Sequence, residues 1–390
     1  MSPLANDFVQ PDKKDSGEIF YPLKAMVCDN CWMVQLSYCH KREKIFSNEY
    51  PYYSSVSSSW LQHAKDYVDK VIKDYRLDSS SKIIEVASND GYLLKNFKKI
   101  NAKVLGIEPC QNVAQFAISN NNVDTLVEFL TTHSALEIVK SYGQANLMIA
   151  NNVLAHVPDI NDFIYGFKIL LKPEGLITFE FPHILSLISG NQFDTIYHEH
   201  YSYLSLHAVQ HAFNLAELRI FKVEFLKTHG GSLRVYVCHQ QASYIEDESY
   251  NHVINMEISN GIKDILMYQN FQNKVQKTKR NLLSFLINAK ESGKKVIAYG
   301  APAKGNTLLN YCGIGNDFLD FTVDLSPYKR KLLLPGSRLR ILDPSEIYKI
   351  KPDYILILPW NLKEEIIQQN QSIKDWNGQF VIPIPELMVI

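Results

Sequence analysis

The chain has 390 residues, of which 46% are hydrophobic and 21% charged, with a formal net charge of -1. That length exceeds one ordinary core, so two or three domains are expected. A charge near zero offers neither the basic surface of a nucleic-acid binder nor the acidic excess of a disordered chain. No apolar run reads as a membrane span or a secretory leader, and the six cysteines are too scattered for a disulfide framework, so a cytoplasmic enzyme with no nucleic-acid or membrane partner is expected.

Residues 1–60 are irregular, and within them only Cys28 and Cys31 have metal-like spacing. Residues 61–75 have helical periodicity, with Ala64, Tyr67, Val68 and Ile72 on one face. Residues 82–87 read as a buried strand that ends in the turn Ser88-Asn-Asp-Gly91. The same pattern recurs at 104–108, 147–150 and 176–181, separated by helix-length segments. Such βαβα order predicts a parallel sheet covered on both faces. Residues 219–226 and 232–239 flank a His-Gly-Gly turn and read as a hairpin. A polar helical stretch over roughly 255–292 precedes a second α/β unit, which starts with a strand at 295–300 and has another at 354–358. The expected domains are 1–60, small and irregular; 61–242, a central Rossmann-like domain; and 243–390, a second Rossmann-like domain.

The turn after the first buried strand carries the first chemistry. Open α/β sheets bind ligands outside the carboxyl ends of their strands. Here Glu85, Ala87, Asn89, Asp90 and Gly91 lie at such an end, where Gly91 permits close approach and Asp90 is placed to cap a helix. Glu108 closes the next strand, where an acid can accept both hydroxyls of a ribose. A dinucleotide site would need Gly-x-Gly-x-x-Gly to seat its pyrophosphate, and this loop has one glycine and two acids. It suits the ammonium and sulfonium of S-adenosylmethionine better. The bland alternative is that Glu85 and Asp90 only cap a helix. The strand at 147–150 exits into Asn151-Asn-Val-Leu-Ala-His156-Val, similar to the Asn-x-x-x-His-Val pattern of nucleotide methyltransferases and consistent with a class I S-adenosylmethionine-dependent fold.

Downstream, Tyr197, His198, Glu199, His200, Tyr201 and Tyr203 crowd into seven residues. Burying so many polar groups without partners would be costly, which favours a reaction pocket. Methylation at carbon needs a carbanion equivalent, which a keto sugar provides once a base removes the proton beside its carbonyl. An imidazole, with a pKa of about 6.5, suits that task, and a tyrosine or a second histidine can hydrogen-bond the enolate oxygen. The competing reading is a zinc site made by His198, Glu199 and His200.

These motifs, in this order, resemble the sugar C-methyltransferase family, which methylates nucleotide-linked 4-keto-6-deoxyhexoses. The resemblance runs through Cys28-x-x-Cys31-Trp-x-Val-Gln-Leu36, Tyr50-Pro-Tyr-Tyr-Ser-Ser55, Ser88-Asn-Asp-Gly91, Tyr197-His-Glu-His-Tyr201, His229-Gly-Gly-Ser-x-Arg234 and Gly300-Ala-Pro-Ala-Lys-Gly305. It implies a zinc-bearing N-terminal domain, a cofactor domain and a C-terminal domain that closes over the sugar nucleotide. It also implies that His200 is the base, that Tyr197, Glu199, His156 and Tyr53 assist it, and that Tyr50, Tyr52 and His198 line the sugar site. The family usually has a second Cys-x-x-Cys pair upstream of the one at Cys28 and Cys31. An empty or incomplete zinc site is therefore expected, with Cys39 or His40 as conceivable substitutes.

In the last region Lys304 and Asn306 follow a strand at a helix start, where backbone amides and an ammonium suit a diphosphate, and 328–331 and Arg338 add positive charge. The expected activity is C-methylation at carbon 3 of a thymidine- or guanosine-diphosphate keto sugar by a monomer. A non-catalytic sugar-nucleotide binder and an O-methyltransferase are the alternatives.

Overall fold

The protein is described by a computed structural model covering residues 1–46, 50 and 52–390. Near the N-terminus β1 (Ala25–Val27) and β2 (Val34–Leu36) pair antiparallel. The helix Ser58–Tyr75 follows, where the Ser57 side chain accepts the Trp60 N–H and left-handed Arg76 ends the run. Ala64, Tyr67, Val68 and Val71 are its buried stripe; Ile72, expected there, is only partly buried.

The central sheet uses β3 (Lys82–Val86), β4 (Lys103–Ile107), β5 (Thr125–Leu126), β6 (Ala145–Asn151) and β7 (Leu171–Pro182). After β8 (Ser202–Tyr203) come β9 (Leu218–Leu226) and β10 (Ser232–His239), and the sheet order is β5-β4-β3-β6-β7-β10-β9. The first five pair in parallel, and β10 runs antiparallel to β7 and β9. Because helices cover both faces, Ile83, Ile84 and Val86 are all buried in one strand rather than alternating. The chain moves outward from β3 to β5, then restarts on the other side of β3 with β6. The loops leaving β3 and β6 therefore diverge, and a crevice opens between their carboxyl ends.

β8 does not join this sheet. It pairs with β2, placing Tyr203 opposite Val34 and stitching the N-terminal hairpin to the chain just after the Tyr-His-Glu-His run. The turn Ser88–Gly91 also differs from expectation, since it leads into a 3-10 helix, Leu94–Ile100. Asp90 is not its cap: one carboxylate oxygen accepts the Ser55 N–H at 2.9 Å.

The helical stretch expected over 255–292 is two helices, Glu248–Ser259 and Ile265–Glu291. Gly261 at φ 84° ends the first turn of chain, and Asp264 caps the second helix by accepting the Leu266 N–H. Val253 packs into the central core and Val275 into the C-terminal one, so the chain changes cores later than the expected break at 242. The C-terminal sheet uses β11 (Val296–Tyr299), β12 (Thr322–Val323), β13 (Ile341–Leu342), β14 (Tyr354–Ile357), β15 (Gln379–Ile382) and β16 (Met388–Val389), in the order β13-β12-β11-β14-β15-β16. All its pairings are parallel except β15 with β16. No helix among the described residues is long and apolar enough to cross a membrane.

Candidate active site

At the crevice above β3 and β6 lies a cavity of about 430 Å³, to which all three regions of the chain contribute. Its first end is built by the loop after β3. Ala87, Asn89 and Gly91 all take positive φ, at 55°, 49° and 76°, which folds the backbone back on itself. Glu108 holds that fold, accepting the Asn89 N–H at 3.0 Å and the Cys110 N–H at 2.9 Å while facing the cavity. Gly106 has no room for a side chain, because a Cβ would stand 2.4 Å from the Ser88 hydroxyl.

Ala87, Asn89, Glu108 and Asn151 line the cavity, whereas Glu85, Asp90 and Gly91 stand behind it. Gly91 instead allows close packing against Ala117 and Val123. Glu85 and Asp90 are buried, and Glu85 Oε2 and Asp90 Oδ1 have no hydrogen-bond partner. Burial, then the charges of Asp90 and Glu108, push the Glu85 carboxyl well above its usual range, and burial raises Glu108 as well. None of the three acids has a salt bridge among the described residues, so this end is complementary to a cation.

The Tyr50 to Ser55 segment lies along this end; its Pro51 is outside the described residues. Tyr50 and Tyr52 line the cavity. Tyr53, expected to assist catalysis, does not, because its hydroxyl accepts the Asn112 amide at 3.0 Å and its ring packs on Phe116. Asn112, which sequence reasoning missed, also exchanges hydrogen bonds with the Tyr50 backbone. Farther along, Arg42 lies 4.3 Å from the ring centre of Phe129, and both line the cavity.

The middle of the cavity belongs to the segment before β8. Tyr201 pins it, donating its N–H to Ala155 O at 2.7 Å and its hydroxyl to His40 O at 2.7 Å. His200 Nδ1 donates to Thr195 O at 2.9 Å, which fixes the tautomer and leaves Nε2 as a lone-pair nitrogen in the cavity. Its ring centre is 4.7 Å from that of His156 and 4.2 Å from that of Tyr197. Burial, then His156, hold the His200 imidazolium well below 6.5, so the ring is neutral at pH 7. Glu199 also lines the cavity; Asn6 donates to it at 2.6 Å and burial pushes it up to about 7. Tyr203, a member of the crowded segment to which no individual role was assigned, completes this wall with its hydroxyl buried and unpartnered.

His198 departs from expectation. Its Nε2 bonds Pro22 O at 3.1 Å and its ring meets Tyr21, so it faces the N-terminal region rather than the sugar site. The zinc reading of His198, Glu199 and His200 fails for the same reason, and no three metal-ligating side chains cluster among the described residues. Cys28 and Cys31 lie together on a tight turn, where the Cys31 N–H lowers the Cys28 thiol. Two thiols do not complete a tetrahedral zinc site. Cys39 is exposed and His40 packs on Tyr21, so neither supplies the missing ligands.

The C-terminal region closes the far end. Lys304 lines the cavity, donating to Asn361 at 2.7 Å and lying 4.4 Å from the Trp360 ring centre. Asn306 does not reach it, because its amide donates to Ala5 O at 2.6 Å and ties the N-terminal segment down. Lys329 is the member of 328–331 that lines the cavity, while Arg330 pairs with Asp343 and Arg338 with Glu18. The Ala301 N–H, expected to face a phosphate, donates to Asp324 instead. Behind the cavity, Glu180 accepts from His63, Thr228 and Arg234 at 2.9, 2.9 and 2.7 Å.

Comparison with known proteins fits this geometry. Residues 1–46 match the family described as "Putative zinc binding domain", 60–223 a "Methyltransferase domain", and 227–385 a "C-methyltransferase C-terminal domain". The C-methyltransferase NovU of Streptomyces niveus is 33% identical over 389 residues, covering 100% of this chain and 92% of that protein. The chain belongs to the C-methyltransferase family. A ubiquinone biosynthesis O-methyltransferase of Bartonella tribocorum is 30% identical over 100 residues, covering 25% of this chain and 39% of that protein. Among solved structures, magnesium protoporphyrin IX methyltransferase of Synechocystis PCC 6803 covers 46% of this chain and 83% of its own, at 13% identity and TM-score 0.38. The fold of this C-methyltransferase is the class I S-adenosylmethionine-dependent one, mixed α/β around a largely parallel sheet.

Proposed function

We propose that this C-methyltransferase acts on a nucleotide-linked 4-keto-6-deoxy sugar, at carbon 3, through proton abstraction beside the ketone. The observation that carries the reading is His200, neutral, with Nδ1 committed to Thr195 O and Nε2 free in a cavity whose far ends are acidic and basic. S-adenosylmethionine, when bound, supplies an electrophilic methyl group. The acidic end fits it: Glu108 is placed for the ribose hydroxyls, the Ala87 to Asn89 backbone and Asn151 for the remainder, and Asp90 stands behind the loop. Lys304 and Lys329, at the other end, suit the diphosphate of a thymidine or guanosine nucleotide.

In this reading His200 Nε2 takes the proton from the carbon next to the ketone. The C–H electron pair moves into the ring bond, and the carbonyl pair moves onto oxygen. Glu199, pushed up to about 7, carries a proton part of the time at neutral pH and shares the site with Tyr197.

The test is a proton NMR time course of a nucleotide-linked 4-keto-6-deoxyhexose in deuterated water without methyl donor. One ring-proton signal is expected to vanish, and its position names the carbon. A wild-type enzyme that exchanges no ring proton and transfers no methyl group to this substrate sinks the reading. A second expected result concerns Lys304→Ala. Losing a charge-assisted contact of about 1.5–3 kcal/mol raises the sugar-nucleotide KM by about 10–100-fold. Titration calorimetry is expected to show unchanged S-adenosylmethionine affinity; an equal loss of both ligands would instead mark a folding defect.

A further inference from the structure

The turn between β9 and β10 carries a histidine whose conformation, surroundings and hydrogen bonding all point into the cavity. His229 lies in the left-handed region, at φ 53° and ψ 24°, between two residues that hold the turn rigidly. Thr228 donates its hydroxyl to Glu180 at 2.9 Å and its carbonyl accepts the Gly231 N–H at 2.9 Å and the Ser232 hydroxyl at 3.0 Å. On the other side the Gly230 carbonyl accepts the Gln192 amide at 2.8 Å, and the Gly231 carbonyl accepts the His183 N–H at 3.0 Å. None of these bonds uses the imidazole. The turn is thus anchored by its neighbours while the His229 ring projects from it.

That ring lines the cavity, with its edge toward Trp60 at 5.5 Å between centres, and it makes no hydrogen bond among the described residues. Trp60 is itself stacked on His63, which is bonded to Glu180, so the wall behind the ring is firm. A strained backbone, a braced turn and a free polar ring in the same cavity as His200 are the marks of a ligand-facing group. Its electrostatics agree on which protonation state it holds. Burial, then the Lys304 charge, lower His229 to about 4, so it is a neutral imidazole with one N–H at pH 7. It is also near enough for its charge to act on both His156 and His200.

We propose that His229 is a second catalytic imidazole of this site, donating a ring N–H to the keto oxygen that becomes the enolate oxygen. This rests on the enolate reading above. As His200 removes the proton from carbon, the C–H pair forms the ring double bond and the carbonyl pair moves onto oxygen, where the His229 N–H meets the developing charge. The donor is neutral here, because burial and the nearby Lys304 charge both oppose a second cation. His229 keeps its proton throughout, so the enolate remains available as the nucleophile.

The experiment compares wild type, His229→Phe and His229→Asn in the deuterium-exchange assay and in full methyl transfer. Phe keeps the ring against Trp60 but has no donor; Asn keeps an N–H donor and tolerates the left-handed backbone. His229→Phe is expected to slow both exchange and kcat by about 10²–10³-fold, with the KM for the sugar nucleotide within about threefold of wild type. His229→Asn is expected to regain at least about tenfold of that loss through its N–H donor, and thermal melts separate this from relief of the left-handed backbone, which Asn also tolerates better than Phe. The thermal melt of His229→Asn should coincide with wild type, since the turn is held by Thr228, Gly230, Gly231 and Ser232, while His229→Phe should still fold cooperatively with a melt lowered by a few degrees at most. Exchange by His229→Phe at the wild-type rate overturns the inference and leaves the enolate reading standing. So does an Asn variant as slow as Phe. Absence of exchange in wild type overturns the enolate reading itself and this inference with it.

Discussion

In His200→Asn, deuterium exchange at the carbon beside the ketone is expected to fall by about 10²–10⁴-fold, the usual contribution of a positioned general base. Asn preserves the donor toward Thr195 O, and with it the local turn in which the His200 N–H bonds Tyr197 O at 3.0 Å. It removes only the lone-pair nitrogen that faces the cavity. S-adenosylmethionine affinity should therefore stay near wild type, because Glu108 and the loop after β3 are untouched. The pH dependence follows from the same geometry. Burial and then His156 depress the His200 imidazolium well below 6.5, so wild-type exchange is not expected to collapse as the pH falls through about 6.5, where an ordinary imidazole would be half protonated. An inflection close to pH 7 that disappears in Glu199→Gln would belong to Glu199, whose carboxyl is raised to about 7. Exchange in His200→Asn at more than a tenth of the wild-type rate would remove His200 from the role of base.

Arg234→Met is expected to destabilise the protein by about 3–5 kcal/mol, read as a lower denaturation midpoint at pH 8. Arg234 is 4% exposed and Glu180 0% exposed, and they meet at 2.7 Å on adjacent strands β10 and β7. Met fills much of the stem's volume but leaves a buried carboxylate with only His63 and Thr228 as partners. Burial works to raise Glu180, but the His63 hydrogen bond and the Arg234 charge outweigh it and hold the carboxyl below its ordinary value. A depressed folded pKa contributes stability that is present above the unfolded value, about 4.3, and is lost as the pH falls through the folded one. The gap between wild type and variant is therefore expected to narrow below pH 5. Adding Glu180→Gln to Arg234→Met should recover part of the loss, because no buried charge then remains unpaired. If the single variant is as stable as wild type at pH 8, the ion pair is not what holds this wall of the cavity.

Much of this organisation was legible in the amino-acid order, for identifiable reasons. Apolar runs at 82–87, 104–108, 147–150 and 176–181 cannot sit at a surface, so they had to become strands covered on both faces, as β3, β4, β6 and β7 are. Of the acids expected at the ends of such runs, Glu108 faces the crevice, while Glu85 and Asp90 stand behind it. The crowd of polar groups from Tyr197 to Tyr203 also had to find partners, and His200, Tyr197 and Glu199 meet at the cavity.

What local pattern left open was which neighbour in each crowded segment turns inward. His198 and His200 are two residues apart, yet one bonds Pro22 O and the other faces the cavity, because the chain turns between them, with the His200 N–H bonded to Tyr197 O. Tyr53 and Asn306 were diverted by partners distant in sequence, Asn112 and Ala5. His229 was legible as the start of a turn and of the motif His229-Gly-Gly-Ser-x-Arg234, without a role; its placement depends on Gln192, His183 and Glu180 bracing that turn from other elements. Apolar periodicity and strand-end chemistry are properties of consecutive residues, so the alternating strands and helices of the parallel sheet and the acid closing β4 can be read from local order. Side-chain direction in loops is set by hydrogen bonds to remote backbone, so which imidazoles face the cavity is visible only once the chain is folded.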